Sequence, residues 1–199
     1  MPGHMIPVML SDLERHLRRL RAQPLVFGPG QYLFHLGDPI RVIHFVRTGM
    51  AHLTRIQGDG SALVLQQAGA GAILAEASFC SDRYHCDAIA MGETHCLAYG
   101  VAAFRAQLRS SPDFADAWAQ HLAHELQKAR LHAEILSLKT VAARLDAWLN
   151  WRGGALPAKG AWRMIASEIA VSPEALYREI AKRRVATAGT KRRTASPAP

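Results

Sequence analysis

Residues 161–184 read AWRMIASEIAVSPEALYREIAKRR, and their pattern indicates how the C-terminal part of the chain folds. The apolar residues of its first half have the spacing of one face of a short helix: Ile165, Ala166, Ile169 and Ala170. A turn ends at Ser172, which can cap a second helix that begins with Pro173. Leu176 and Ile180 are then placed to pack back onto the first helix. Two short helices joined so tightly predict a helix-turn-helix, whose second helix can enter the major groove of DNA.

The second helix presents polar side chains that suit DNA. Glu174 can accept a hydrogen bond from the amino group of cytosine, and Arg178 can bond a guanine edge through two hydrogen bonds. Lys182, Arg183 and Arg184 are placed to reach phosphates. The predicted DNA-binding residues are Ser172, Glu174, Tyr177, Arg178, Lys182 and Arg183. A plain helical hairpin with a charged outer face is the alternative.

The distribution of charge also favours a polyanionic partner. The formal net charge is +8, and residues 178–199 hold seven Lys or Arg against a single acid, Glu179. Because each neutralised phosphate releases counterions, a basic terminus of this kind suits nucleic acid. Residues 186–199 are predicted to be a basic disordered tail. A solvated tail that binds nothing is the alternative explanation of the charge.

Residues 24–99 have the pattern of short β-strands. Runs such as HFVRTG, AHLTRI, ALVLQQ and THCLAY are separated by turns that contain Gly and Asp. Many short strands at regular spacing predict an antiparallel roll or sandwich. A short amphipathic helix is predicted before them at residues 11–22, with Ser11 as its N-cap. Residues 1–110 are therefore predicted to form a β-roll domain.

A long helical pattern follows the strands. From Asp113 to Trp151 there is neither Pro nor Gly, and apolar residues recur at spacings of three and four. Since this is long for one globular helix, a break is expected near Lys139-Thr140. A narrow apolar stripe suits a partner helix, so residues 111–151 are predicted to be a dimerisation helix. A helix packed on its own domain is the alternative. Residues 152–185 are predicted to be the helix-turn-helix domain.

The whole arrangement resembles the Crp/Fnr family of transcription regulators, over about residues 20–184. The local matches are Leu36-Gly37-Asp38-Pro39, Phe45-Val46-Arg47-Thr48-Gly49, residues 71–79 (GAILAEASF), Val141-Ala142-Ala143-Arg144-Leu145, and the stretch from Ile165-Ala166 to Arg178. The resemblance implies an α+β fold with a jelly-roll sensor domain, a homodimer, double-stranded DNA as partner and contact with RNA polymerase.

The chain departs from the family pattern at two places in its DNA-binding part. The family reads bases with an Arg-Glu-x-x-x-Arg set. Glu174 and Arg178 match its last two members, whereas Pro173 replaces the first Arg. After Arg184 no alternating apolar pattern is present, so the small β-hairpin wing of the family is expected to be reduced or absent.

The resemblance also locates an effector pocket. Relatives that bind cAMP hold its phosphate with Gly-Glu and Arg-Ser pairs, where this chain has Ala75-Glu76 and Tyr84-His85, with Arg83 one residue out of register. A buried phosphate without its main counter-charge is costly, so cAMP is not the expected effector. The predicted pocket residues are Glu76, Arg83, Tyr84 and His85.

Three cysteines stand in or near this region. Cys80 and Cys86, with His85 close by, suit a soft ion such as Cu(I), a Zn(II) site, or thiol oxidation as a signal. The alternative is core packing, since Cys86 is expected to face the roll interior with Tyr84 and Ala88. Haem is less favoured, because the histidines are scattered. The odd cysteine count, without a secretion signal, predicts reduced thiols.

Several classes of protein are not expected. We find no nucleophile elbow, no His-Glu-x-x-His, no phosphate loop and no convincing carboxylate pair, so an enzyme is not predicted. No apolar run approaches the roughly 18 residues of a membrane span, and a cytoplasmic protein is expected. The sequence predicts a dimeric DNA-binding regulator controlled by an effector at the β-roll. The alternative is an effector- or metal-binding protein of the same fold with little productive DNA binding.

Overall fold

The computed structural model describes residues 6–58, 60, 62–74 and 76–194, with side chains over 12–58, 60, 63–74 and 76–184. The chain divides into two units, residues 1–125 and 126–199. The first unit contains α1 (Ile6–Leu17), β1 (Ala22–Phe27), β2 (Tyr32–Phe34), β3 (Val42–Thr48), β4 (Met50–Ile56), β5 (Ala62–Gly69), β6 (Ile73–Leu74), β7 (Asp87–Ala90), β8 (Thr94–Gly100) and α2 (Val101–Ser110). Helix α3 (Pro112–Ser137) belongs to both units. The second unit adds α4 (Val141–Trp151), α5 (Trp162–Glu168) and α6 (Pro173–Thr194).

The strands form two antiparallel four-stranded sheets, as predicted for a roll. Their orders are β1-β8-β3-β6 and β2-β7-β4-β5. Because side chains alternate along a strand, each sheet turns one face inward. The core between the sheets consists of Phe34, Val46, Ala51, Leu53, Ala68, Leu74, Tyr84, Cys86, Ala88 and Cys96. The prediction that Cys86 faces inward with Tyr84 and Ala88 is confirmed, since all three are buried.

A second core in the first unit lies between the sheet of β1, β8, β3 and β6 and the helices. Its aromatic centre is Phe104, whose ring lies 4.9 Å from that of Phe114 and 5.0 Å from that of Trp118. Helix α1 buries Leu13 and Leu17 in the same cluster. This helix starts at Ile6 and not at Ser11, so the predicted start is wrong. The reason is local: a proline near the start of a helix needs no N–H partner, and the segment after it has no further helix breaker.

The predicted break in the long helical pattern is confirmed. Helix α3 ends at Ser137 and α4 begins at Val141. Thr140 caps α4, because its Oγ1 accepts a hydrogen bond from the N–H of Ala143 at 3.1 Å. The apolar stripe of α3 divides along its length: Phe114 and Trp118 are buried in the first unit, whereas Ile135 is buried in the core of the second.

Helix α6 is longer than the sequence suggests. It continues to Thr194, through residues 186–194 for which disorder is predicted, while residues 195–199 of that predicted tail lie outside the described residues. Five of the nine residues 186–194 are Ala, Lys or Arg, which are strong helix formers, and no proline interrupts them. Within the part of the chain that the structure describes, no strand follows α6. The reduced or absent wing remains a prediction.

Candidate nucleic-acid interface and sensor site

Helices α5 and α6 form a helix-turn-helix. Ile165, Ala166 and Ile169 are buried on the α5 side, and they meet Leu176 and Ile180 of α6 in one core. The predicted inner faces of both helices are thus confirmed, except that Ala170 is exposed in the turn. This core leaves the opposite side of α6 open.

Ser172 and Glu174 form the start of α6. The Ser172 Oγ accepts a hydrogen bond from the N–H of Ala175 at 3.2 Å, which satisfies one of the open donors of the first turn. Hydrogen bonds from the backbone N–H of Glu174 and from the Ser172 hydroxyl, together with the charges of Arg163 and Arg178, lower the pKa of the Glu174 carboxyl. Glu174 is therefore ionised at neutral pH and offers only acceptors.

Glu174, Arg178 and Lys182 form one exposed row along α6. They are four residues apart, so they share a helix face. Arg163 of α5 is also exposed, and its charge reaches Glu174. Arg163 is not among the residues predicted from the sequence, because nothing in the sequence gives its distance from a residue on the next helix. The row thus places one ionised acceptor, Glu174, and two cationic donors on a single exposed face of α6.

Arg183, by contrast, bonds within its own unit. Its Nη1 donates to Asp146 Oδ1 at 2.5 Å and its Nε donates to Glu179 Oε1 at 2.7 Å. A third hydrogen bond runs from Nη2 to the carbonyl of Ala142 at 3.0 Å. These bonds attach α6 to α4, so the predicted phosphate contact of Arg183 would compete with them.

Trp162 of α5 contacts two side chains of α6, Tyr177 and Arg184. Tyr177, a predicted DNA-binding residue, is half-buried with its ring 5.5 Å from that of Trp162. The guanidinium of Arg184 lies over the same indole, 5.0 Å from the ring centre. Arg184 is exposed, so this stacking leaves its N–H groups accessible to solvent.

The predicted effector pocket lies at a 3-10 turn, Glu76–Ser78, after β6. The Ser78 hydroxyl is buried and hydrogen-bonded to Nδ1 of His85, which brings His85 to the turn that holds Glu76. Arg55 of β4 donates to the carbonyl of His85 at 2.7 Å. Arg55 is not predictable from the sequence pattern, because it precedes His85 by 30 positions. Ala75, part of the matched motif, lies outside the described residues.

The other two predicted pocket residues, Tyr84 and Arg83, form their hydrogen bonds away from the Glu76–Ser78 turn. Tyr84 stacks on Phe34 with ring centres 3.7 Å apart, and its hydroxyl donates to the carbonyl of Val42 at 2.7 Å. Burial raises the pKa of Tyr84 to about 12. The Nη1 of Arg83 donates to the carbonyl of Gly37 at 2.7 Å. In this structure Tyr84 is a core residue of the roll and Arg83 holds a neighbouring turn.

The cysteines fall into two environments. Cys80 is exposed, whereas Cys86 and Cys96 are buried between the sheets. Burial raises the pKa of both buried thiols to about 11, so they are protonated at neutral pH, whereas metal binding and oxidation use the thiolate. Among the described residues, no group of three or more His, Cys, Asp and Glu could hold a metal ion. The arrangement favours core packing for Cys86.

We expect this difference to appear in thiol labelling. With a disulfide reagent near neutral pH, about one thiol per native chain should react rapidly, because only the thiolate of an accessible cysteine attacks. All three cysteines should react once the chain is unfolded. Cys80→Ser should abolish the native reaction, and a remaining fast thiol in that variant would contradict the burial of Cys86 and Cys96.

The comparisons with known proteins agree with this architecture. Residues 24–111 match the model of the cyclic nucleotide-binding domain. The structure of FixK2 from Bradyrhizobium japonicum is similar with a TM-score of 0.71 at 17% identity, over 84% of this chain and 87% of that one. The c-di-GMP responsive global regulator CLP of Xanthomonas campestris gives 0.65 at 17% identity, over 89% and 92%. A CRP-family transcriptional regulator of Thermus thermophilus gives 0.62 at 16% identity, over 82% and 85%. No curated protein sequence gives a match.

The domain match and the structural similarities cover different parts of the chain. The domain match contains β2 to β8 and α2, together with most of β1, and the structural likeness also extends over the helices beyond it. Among the helices that the structure describes, none combines the length and apolarity needed to cross a bilayer. Residues 24–111 match the cyclic nucleotide-binding domain family, and the chain has the fold of CRP-family transcription regulators.

Proposed function

We propose that the chain is a dimeric, DNA-binding transcription regulator whose DNA affinity is controlled by an effector at the β-roll. The observation that carries this proposal is the exposed row of Glu174, Arg178 and Lys182 on α6. The row stands on the outer side of a helix whose inner side is fixed by a closed core. A rigid helix with an ionised acceptor and two cations on its open face suits the major groove.

The dimer is proposed from α3. Leu122 and Leu126 lie four residues apart on one face of this helix, with 36% and 51% of their surfaces exposed. They continue the apolar stripe that begins with buried Phe114 and Trp118. The same stripe of a second copy is the proposed partner, because two such helices cover each other's leucines. A dimer also presents two recognition helices to two half-sites of DNA.

Arg178→Ala tests the DNA-binding proposal. Operators are first selected from random double-stranded DNA with the native protein, and affinities are then measured by fluorescence anisotropy. The variant should lose about 1–3 kcal/mol on the selected site, because a two-bond contact to a base edge is removed. The loss on random DNA should be smaller.

Arg109→Ala is the matched control, since Arg109 is an exposed arginine on α2 and the variant loses the same charge. It should bind the selected site like the native protein, and all three proteins should sediment as dimers at micromolar concentration. An equal loss on selected and random DNA would contradict base reading by Arg178. A selection that enriches no sequence would favour the alternative, an effector- or metal-binding protein with little productive DNA binding.

The effector is proposed to be other than cAMP. At the position where the resemblance requires an arginine, the chain has buried Tyr84, whose hydroxyl is bonded to Val42. A soft metal ion or thiol oxidation remains the proposed signal, with exposed Cys80 as the accessible thiol, and haem is less favoured. RNA polymerase is the proposed protein partner, on the resemblance alone.

A further inference from the structure

Arg144 of α4 donates hydrogen bonds to four backbone carbonyls. Its Nε donates to Leu138 at 2.7 Å and its Nη2 donates to Leu136 at 2.9 Å. Its Nη1 donates to both Ile169 and Ala170 at 3.0 Å. One guanidinium thus joins the end of α3 to the turn of the helix-turn-helix. We call this arrangement the Arg144 junction.

The accepting carbonyls lie at the C-terminal ends of two helices, where backbone C=O groups lack hydrogen-bond partners within the helix. The last four C=O groups of an α-helix have no partner within the helix. Leu136 lies in the last turn of α3 and Leu138 directly follows that helix, while Ile169 and Ala170 directly follow α5. A positive charge between two helix C-termini is also favourable for the helix dipoles. The planar five-donor guanidinium suits this set, whereas an ammonium group could not span it.

The turn that accepts these bonds has an unusual conformation. Ala170 has φ of 49°, in the left-handed region that residues with a Cβ rarely adopt. The turn therefore depends on contacts from outside. A second contact comes from α3, since Nε2 of His132 donates to the carbonyl of Glu168 at 2.5 Å.

We propose that Arg144 is a positioning residue, which sets the orientation of the helix-turn-helix relative to the end of α3. Its guanidinium does not have to touch DNA in this role. In a dimer held by α3, the orientation of each motif at the end of that helix sets the separation of the two recognition helices. The DNA consequence rests on the proposed function, whereas the orientation itself does not.

The orientation is tested by spin labelling without DNA. Cys80→Ser removes the exposed thiol, and labels are attached at Gln127→Cys on α3 and Ala181→Cys on α6, which are exposed positions. Labelled chains are diluted with unlabelled ones so that distances within one chain dominate. We expect one narrow distance distribution with Arg144 and a broadened or shifted one in Arg144→Met. An unchanged distribution would overturn the proposal.

Ile165→Val controls for simple loss of stability, because it trims the buried core of the same unit without touching the junction. Its distribution should stay narrow, and broadening equal to that of Arg144→Met would also overturn the proposal. If Arg144→Met does not fold, Arg144→Lys takes its place and should broaden the distribution, since a single ammonium group cannot reach all four carbonyls. An unchanged distribution in Arg144→Lys would then count against the proposal.

A DNA readout separates this proposal from the proposed function. Selected operators are remade with one base pair added or removed between the half-sites. The native protein and Ile165→Val should bind these at least about tenfold more weakly than the original, because the half-site separation is a geometric match. Arg144→Met should discriminate less than about threefold. If the labels show broadening but no operator can be selected, the positioning role stands and the DNA-binding function fails.

Discussion

Gly49→Ala should prevent the β-roll unit from folding, a loss of more than about 4 kcal/mol, the size expected only for severe defects. Gly49 connects β3 and β4 with φ of +87°, in the left-handed region. An added Cβ would lie 2.3 Å from the carbonyl oxygen of Glu93 and 2.7 Å from Cα of Thr94. Both are backbone atoms of the neighbouring turn, and Thr94 is hydrogen-bonded to both backbone groups of Met50. The backbone at Glu93 and Thr94 therefore cannot move away from the added Cβ without breaking these hydrogen bonds.

Gly30→Ala separates this clash from the conformational cost. Gly30 has φ of +78°, but a Cβ there would meet no atom within 4 Å. Only the left-handed conformation is penalised, at about 1–2 kcal/mol. Urea unfolding followed by circular dichroism should give a slightly weakened transition of the β-roll unit for Gly30→Ala, and no transition of that unit for Gly49→Ala. Similar losses in the two variants would contradict the close approach of the two turns.

Acid should destabilise the protein through His44. This histidine of β3 is 2% exposed, and its ring lies 6.4 Å from that of Phe27 and 5.7 Å from that of Phe34. Burial lowers the pKa of His44 from 6.5 to about 4. In the unfolded chain His44 gains its proton near the ordinary pKa of 6.5. Between pH 6.5 and about 4 the unfolded state therefore binds more protons than the folded state. Stability therefore falls as the pH drops from about 6.5 to about 4, by about 3 kcal/mol at most.

His44→Phe should remove this part of the pH dependence. Urea unfolding at several pH values between 7 and 4 should show the free energy of unfolding of the variant falling less steeply than that of the native protein. Val46→Ala on the same strand is the control: it trims a buried side chain without a titrating group, so it should lower stability equally at every pH. A native protein and a His44→Phe variant with identical pH profiles would rule out a neutral buried His44.

The parts of the fold that the sequence predicts are those determined by local periodicity. Ile165, Ile169, Leu176 and Ile180 are spaced for two facing helices, and the structure buries all four. The break before Val141 and the inward direction of Cys86 follow from the same kind of reasoning, since helix caps and strand alternation involve only neighbours in sequence.

The contacts that local periodicity does not predict join residues far apart in the chain. The place of Arg183 in a basic run predicts a contact with DNA phosphates, but its guanidinium bonds Asp146, 37 positions earlier. Arg55 reaches His85 across 30 positions, and Arg144 reaches Ile169 across 25. Such pairs depend on tertiary geometry, which no spacing rule on a single sequence contains.

The pairing of β1 with β8 has a consequence for how the protein is made. Residue Ala22 is opposite Tyr99 in this pair, so the first strand finds its neighbour only after the last strand of the roll has been synthesised. Contacts this distant in sequence form slowly, whereas helical hairpins such as α5–α6 form from nearby residues. At about 5–20 residues per second, translation of residues 101–199 takes roughly 5–20 s. The roll can therefore begin to close while the C-terminal helices are still being synthesised, and slow closure would leave unpaired strand edges exposed during that time.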